Sequence, residues 1–204
     1  MATESTGGGW LLLLVQLPGS PSSARVALWR KLRSAGAAGI LNGAWVLPHA
    51  AEHERFFEQL RNTVCRQGGR AFVLTVAWLA PDADAMIVAR FRADRAREYD
   101  ELAERCHAFL AELHKETRAG KFTFAELEEN EQDLEKLVGW LAKIRARDFF
   151  PDDRRPRPEE MVQECRQALG AFSRAVYEAE EVQERTGGAG GPSGGAAGAD
   201  SGAG

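Results

Sequence analysis

The stretch KFTFAELEENEQDLEKLVGWLAKIRARDFF, Lys121 to Phe150, constrains this chain more than any other, because both ends of a helix are written into it. Thr123 and Glu126 form the T-x-x-E pattern of a capping box. Phe122 and Leu127 stand where a hydrophobic staple needs them, on either side of the cap. Glu126, Glu128, Glu129, Glu131, Asp133 and Glu135 crowd the positive half of the helix dipole, and Lys143, Arg145 and Arg147 its negative end. Leu127, Leu134, Leu137, Leu141 and Ile144 recur at heptad spacing, so one seam must pack on another helix. Asn130 falls in the same seam, where a polar residue fixes register at a cost in stability; leucine there is expected to stabilise the bundle while loosening its pairing.

Two further seams supply the partners. Tyr99, Leu102, Cys106, Phe109 and Leu113 repeat along one face until Gly120. After a Pro/Asp/Arg loop over Pro151–Pro158, Glu159 and Glu160 open a last helix with the seam Val162, Cys165, Leu169, Phe172 and Val176. Three seams with short connections predict an antiparallel helical bundle over 82–185. At its start, Asp84–Arg92 reads as a short helix with Asp94 capping the next; an edge strand at Met86–Phe91 is the alternative.

Residues 9–81 have a different grammar. Trp10–Leu17 is an unbroken apolar run closed by Pro18, as in a central strand buried on both faces. Ser20-Pro21 opens a helix whose core face is Ala24, Leu28, Leu32 and Ala35 and whose stop is Gly36. Asn42-Gly43 between Ala37–Leu41 and Ala44–Pro48 is a hairpin signal, since the turn needs positive φ. His53, Phe56, Phe57, Leu60 and Val64 stripe a second helix ended by Gly68-Gly69, and Ala71–Leu79 is the fourth strand. The succession βαββαβ predicts a ferredoxin-like domain. The fold class expected is therefore α+β, a ferredoxin-like βαββαβ domain followed by an antiparallel helical bundle. A leader at 1–8 and a Gly/Ala-rich tail at 186–204 hold too few large apolar residues to order and are expected to be disordered.

The chemistry is written far less clearly than the fold. The net charge of −4 excludes a whole-molecule attraction to polyanions. Between Trp10 and Ala80, however, eight lysines and arginines face three glutamates, which predicts a basic surface on this part. The run WLLLLVQL is too short to span a bilayer and lacks a basic flank, so no membrane contact or export is expected. Cys65, Cys106 and Cys165 form no C-x-x-C pair, and each reads as a small buried hydrophobe in a reducing cytoplasm. His107 and His114 share a helix face near Glu101 and Glu104, but solvated surface histidines explain them better than a metal site. No P-loop, G-x-S-x-G or catalytic set is present, so no catalytic residue, metal or cofactor is expected.

Two arginine groups stand out. Arg25, Trp29 and Arg33 lie at i, i+4 and i+8 beside Arg30, an indole between guanidiniums that leaves donors for a phosphate or another oxyanion. The bland reading is a half-core tryptophan with snorkelling arginines. Arg145, Arg147, Arg154, Arg155 and Arg157 are interleaved with Asp148, Asp152 and Asp153, which reads as a helix end with local ion pairs.

The opening WLLLLVQLPGSPSSARVALWRKLRSAGAAGILNGAWVLP resembles the N-terminal domain of the chromate-resistance regulator family, ChrB, and so does KFTFAELEENEQDLEKLVGWLAKIRARDFF. Together they span most of Trp10–Phe150. The resemblance implies a cytoplasmic prokaryotic protein whose longer relatives are chromate-responsive transcriptional regulators. Those relatives carry a further C-terminal domain, which this chain is expected to lack. The first part also looks distantly like the ferredoxin-like domain of the small CRISPR-associated nucleases and the phenylacetate-operon repressors. The nucleases place an acid at the end of the first strand, where this chain has Gln16-Leu17-Pro18, so hydrolysis is disfavoured.

The function expected is a non-enzymatic regulatory or binding protein that contacts DNA or an oxyanion, chromate among them, through Arg25, Trp29, Arg30 and Arg33, with a homodimer as a further partner. The alternatives are a metal- or oxyanion-dependent accessory enzyme, nuclease-like or chromate-handling, and a pure protein-interaction module.

Overall fold

The computed structural model describes residues 9–19, 22–151 and 158–187. The expected leader, nearly all of the expected tail, the Ser20-Pro21 helix opening and Arg154, Arg155 and Arg157 lie outside the described residues. The elements are β1 (Trp10–Gln16), α1 (Ser22–Ser34), β2 (Ala38–Leu41), β3 (Ala44–Pro48), α2 (Ala51–Arg66), β4 (Arg70–Val76), α3 (Pro81–Ala119), α4 (Phe124–Arg145) and α5 (Pro158–Gly187). The architecture is α+β, and the four strands form an antiparallel sheet in the order β2-β3-β1-β4.

The apolar run of β1 makes it an inner strand, with Leu12 opposite Val46 of β3 on one side and Leu74 of β4 on the other. Leu11 and Leu13 are fully buried and join Leu32 of α1 and Phe57, Leu60 and Val64 of α2 in the first core. Side chains alternate along a strand, so Trp10, Leu12 and Leu14 point to the other face. That face is covered at the Trp10 end, whereas Phe72 and Leu74, which share it further along, are 54% and 44% exposed. Gly43 takes φ 77° in the β2–β3 turn, and a Cβ there would collide with the Val15 carbonyl oxygen. Glycine is required twice over: for the turn, and because Val15 N donates to the Gly43 oxygen at 2.7 Å.

The segment after Pro81 departs from the sequence expectation. There is neither a break at Asp94 nor a strand at Met86–Phe91: α3 runs uninterrupted from Pro81 at its first turn to Gly120, a left-handed C-cap with φ 64°. Asp94 lies in its interior, 2% exposed, as an ion-pair partner and not a cap. One long helix serves two cores. Its start buries Val88 and Phe91 against the sheet, with the Phe91 ring stacked 5.8 Å from Trp10. Further along, Leu102, Cys106, Phe109 and Leu113 join Leu127, Leu137, Leu141 and Ile144 of α4 and Val162, Cys165, Leu169, Phe172 and Val176 of α5.

The cap expected at Thr123 is present, its side chain accepting from Glu126 N at 3.3 Å. The helix ends earlier than its sequence pattern, at Arg145, and the chain turns back. Phe149 then meets His53 and Phe91, and Phe150 meets Trp10 and Phe91, with ring centroids 5.1 to 5.9 Å apart. Such aromatic pairs are worth about 0.5–1.5 kcal/mol beyond area burial, so the end of the bundle is held on the first core. Cys106 and Cys165 are buried as expected, but Cys65 is exposed. It follows Val64 by one residue, about 100° round the helix from the buried stripe. Among the described residues, no helix is long and apolar enough to cross a membrane.

Candidate functional site

Leu32 anchors α1 in the first core, and Leu28 packs partly against it. The helix turns Arg25, Trp29 and Arg30 outward as a consequence, with Trp29 52% exposed. The sequence of α1 contains no acid. Arg25 and Arg30 make no ion pair among the described residues, so this face is an unneutralised basic surface around an indole.

Arg33 goes elsewhere. It stands at the last turn of α1, and Nη1 donates to Asp94 Oδ2 at 3.0 Å while Nη2 lies 3.8 Å from Glu98 Oε1. The four residues expected to act together are therefore split, three on the surface and one in the junction between α1, α3 and the segment after α4.

Of the other members of that junction, sequence reasoning placed Arg147 at a local helix end and Asp94 at a cap, and did not single out Arg90, Arg95 or Glu98. Arg95 Nη1 and Arg147 Nη2 both donate to Glu98 Oε2 at 2.9 Å. Arg147 Nη1 also reaches the Arg33 carbonyl at 3.4 Å, and Arg90 Nε lies 3.4 Å from Asp94 Oδ2. Gly36, at φ 78°, lets Arg147 come this close, since a Cβ there would sit 2.8 Å from the Arg147 Cβ. Arg147 thus bridges three parts of the chain, not the local helix end its neighbours predicted. Burial, with Arg147 and Arg33 nearby, lowers the Arg95 pKa against the opposing pull of Glu98 and Asp94. Beside the cluster, Tyr99 donates to Asp148 Oδ2 at 3.0 Å; burial and that carboxylate push the phenol pKa up. The spacing of Arg90, Asp94 and Glu98 at i, i+4 and i+8 was the available signal, a base and two acids on one stripe of α3.

His107 and His114 are exposed on α3, and among the described residues no three of His, Cys, Asp and Glu converge as a metal site.

The family described as Protein ChrB, N-terminal, matches residues 25–183, from the basic face of α1 through the arginine junction to the last helix. The chain belongs to this family. Protein ChrB of Cupriavidus metallidurans (strain CH34) is 30% identical over 154 residues, covering 74% of this chain and 43% of that relative. The chain therefore spans less than half the length of the ChrB protein it matches. The matched segment begins within α1, at Arg25, and takes in both arginine groups.

Proposed function

We propose that this ChrB-family chain is a non-enzymatic regulatory module that meets the backbone of nucleic acid through Arg25, Trp29 and Arg30. The observation that carries the reading is the outward face of an acid-free helix, where two guanidiniums without ion-pair partners among the described residues flank a half-exposed indole. Arginine forks match phosphate geometry, and an indole can stack on a base or a guanidinium. Family membership supports regulation of the chromate-resistance kind, in the cytoplasm. The sheet is read as ferredoxin-like, on the βαββαβ succession and the strand order, and as the scaffold that presents α1. Self-association at the open edge of β4, beside exposed Phe72 and Leu74, belongs to the same reading and is measured by light scattering.

Fluorescence anisotropy with duplex DNA from the chain's own upstream region tests the main claim. Affinity is expected to fall linearly on a logarithmic salt axis, with a slope reduced by about 0.9 for each phosphate contact removed by Arg25→Gln or Arg30→Gln. Absence of binding at low ionic strength overturns it.

A further inference from the structure

We propose that the junction of α1, α3 and the segment after α4 is a binding site for a small tetrahedral oxyanion that carries a proton, of the hydrogen-phosphate type. The charge balance comes first. Four guanidiniums (Arg33, Arg90, Arg95 and Arg147) meet two carboxylates (Asp94 and Glu98), so the cluster holds two positive charges without an internal counter-charge. Arg95 and Arg147, 4% and 19% exposed, are the poorly solvated members, and guanidiniums so placed repel one another unless an anion joins them.

Unused hydrogen-bonding capacity points the same way. The Arg95 side chain is 4% exposed, yet its Nε has no hydrogen-bond partner among the described residues, and neither has the Nε of Arg147. A guanidinium carries five N–H donors, and a buried one left unmet is costly. Asp94 Oδ1 is also buried without a partner among the described residues, and it is an acceptor. Donors alone would welcome any oxyanion. Donors beside a free carboxylate oxygen favour one whose own O–H can donate to that oxygen, as in hydrogen phosphate, and disfavour sulfate. Access lies on the Arg33 and Arg90 side, where the side chains are 30% and 44% exposed. Glu98 holds Arg95 and Arg147 in place through one shared oxygen while competing with the anion for their donors.

This inference is independent of the nucleic-acid reading, because it uses the inner cluster and not the outer face of α1. The test is isothermal titration calorimetry of the full chain, in phosphate-free buffer at low ionic strength, with phosphate, chromate, sulfate and chloride. Phosphate and chromate share the shape and carry a proton near neutral pH, and the tighter of the two names the source. Saturable binding of one of them is expected, with sulfate weaker by about tenfold, the scale of one charge-assisted hydrogen bond. Arg33→Gln, at the edge of the cluster, should weaken binding by a similar factor. Glu98→Gln should tighten it, a gain that a purely structural ion network would not produce and that remains readable if Arg33→Gln fails to fold. Arg25→Gln with Arg30→Gln should leave the affinity unchanged while weakening DNA binding. The site is overturned if phosphate and chromate give no more heat than chloride at equal ionic strength. It is equally overturned if binding is lost in the Arg25/Arg30 variant, or if it is unmoved by both junction substitutions.

Discussion

Trp10 Nε1 donates a buried 2.7 Å hydrogen bond to Asp84 Oδ1, joining the first residue of β1 to the first turn of α3 across 74 positions of chain. The same indole stacks on Phe91 and touches Phe150, so one residue ties the sheet, α3 and the end of the bundle together. Trp10→Phe keeps a ring but removes one buried charge-assisted hydrogen bond to the Asp84 carboxylate, and should cost about 1–3 kcal/mol. Asp84→Asn retains the acceptor and should cost less. Urea denaturation compares the two. A Trp10→Phe loss under about 0.5 kcal/mol, the scale of a neutral surface change, would mean that Asp84 is satisfied without the indole.

A second polar pair sits inside the bundle. Asn130 Nδ2 donates to Glu116 Oε2 at 2.7 Å and to the Glu126 carbonyl at 2.8 Å. Burial, reinforced by the Glu126 carboxyl, pushes the Glu116 pKa above the ordinary carboxylate range, while the Asn130 hydrogen bond pulls it down. Folded Glu116 therefore binds its proton more tightly than unfolded Glu116. Its contribution is most favourable below the ordinary carboxylate pKa and is lost as pH rises through the elevated folded value. Glu116→Gln should be nearly neutral at acid pH and stabilising at pH 7, as urea midpoints at the two pH values would report. Greater destabilisation at pH 7 than in acid would refute this sign. Asn130→Leu, stabilising on the heptad pattern alone, is now expected to destabilise, because it strips Glu116 of its donor.

The bundle seams were legible because leucine spacing and the Thr123 cap are local signals: the seams appear in α3, α4 and α5 where the periodicity placed them, and the cap at the start of α4. The uninterrupted α3 was not. Asp94 looks like a cap in sequence, since the arginines that neutralise it arrive partly from α1 and are invisible locally. The return of Phe149 and Phe150 to the first core was hidden for the same reason. Of the candidate site, Arg25, Trp29 and Arg30 were readable from helical spacing, whereas the junction of Arg33, Arg95 and Arg147 depends on three segments meeting. Charge identity survives in a sequence; convergence of distant charges does not.

The α4 seam gives a graded stability prediction. Leu141 is buried in the second core, whereas Leu134 only packs partly against it. Leu141→Ala should therefore cost about 2–5 kcal/mol, and Leu134→Ala clearly less. Thr123→Ala should cost about 0.5–1 kcal/mol, at the low end for a cap, because its bond is exposed and 3.3 Å long. Equal costs for the two leucines in urea melts would place Leu134 deeper than it is seen here.

The three cysteines give a chemical readout of the same packing. Cys65 is exposed on α2, while Cys106 and Cys165 are buried where α3 meets α5, with Cys165 Sγ 3.7 Å from the Cys106 carbonyl oxygen. Burial, with Cys106 close by, pushes the Cys165 thiol up to about 12, and burial raises Cys106 as well. The thiolate is the reacting species, so neither buried cysteine should react at neutral pH while the bundle is closed. A disulfide-exchange reagent should titrate one thiol quickly in the native protein and the other two only in denaturant. Cys65→Ser should abolish the fast phase. If it leaves a fast phase behind, α5 must open from α3 on the timescale of labelling, and the second core is looser than its packing implies.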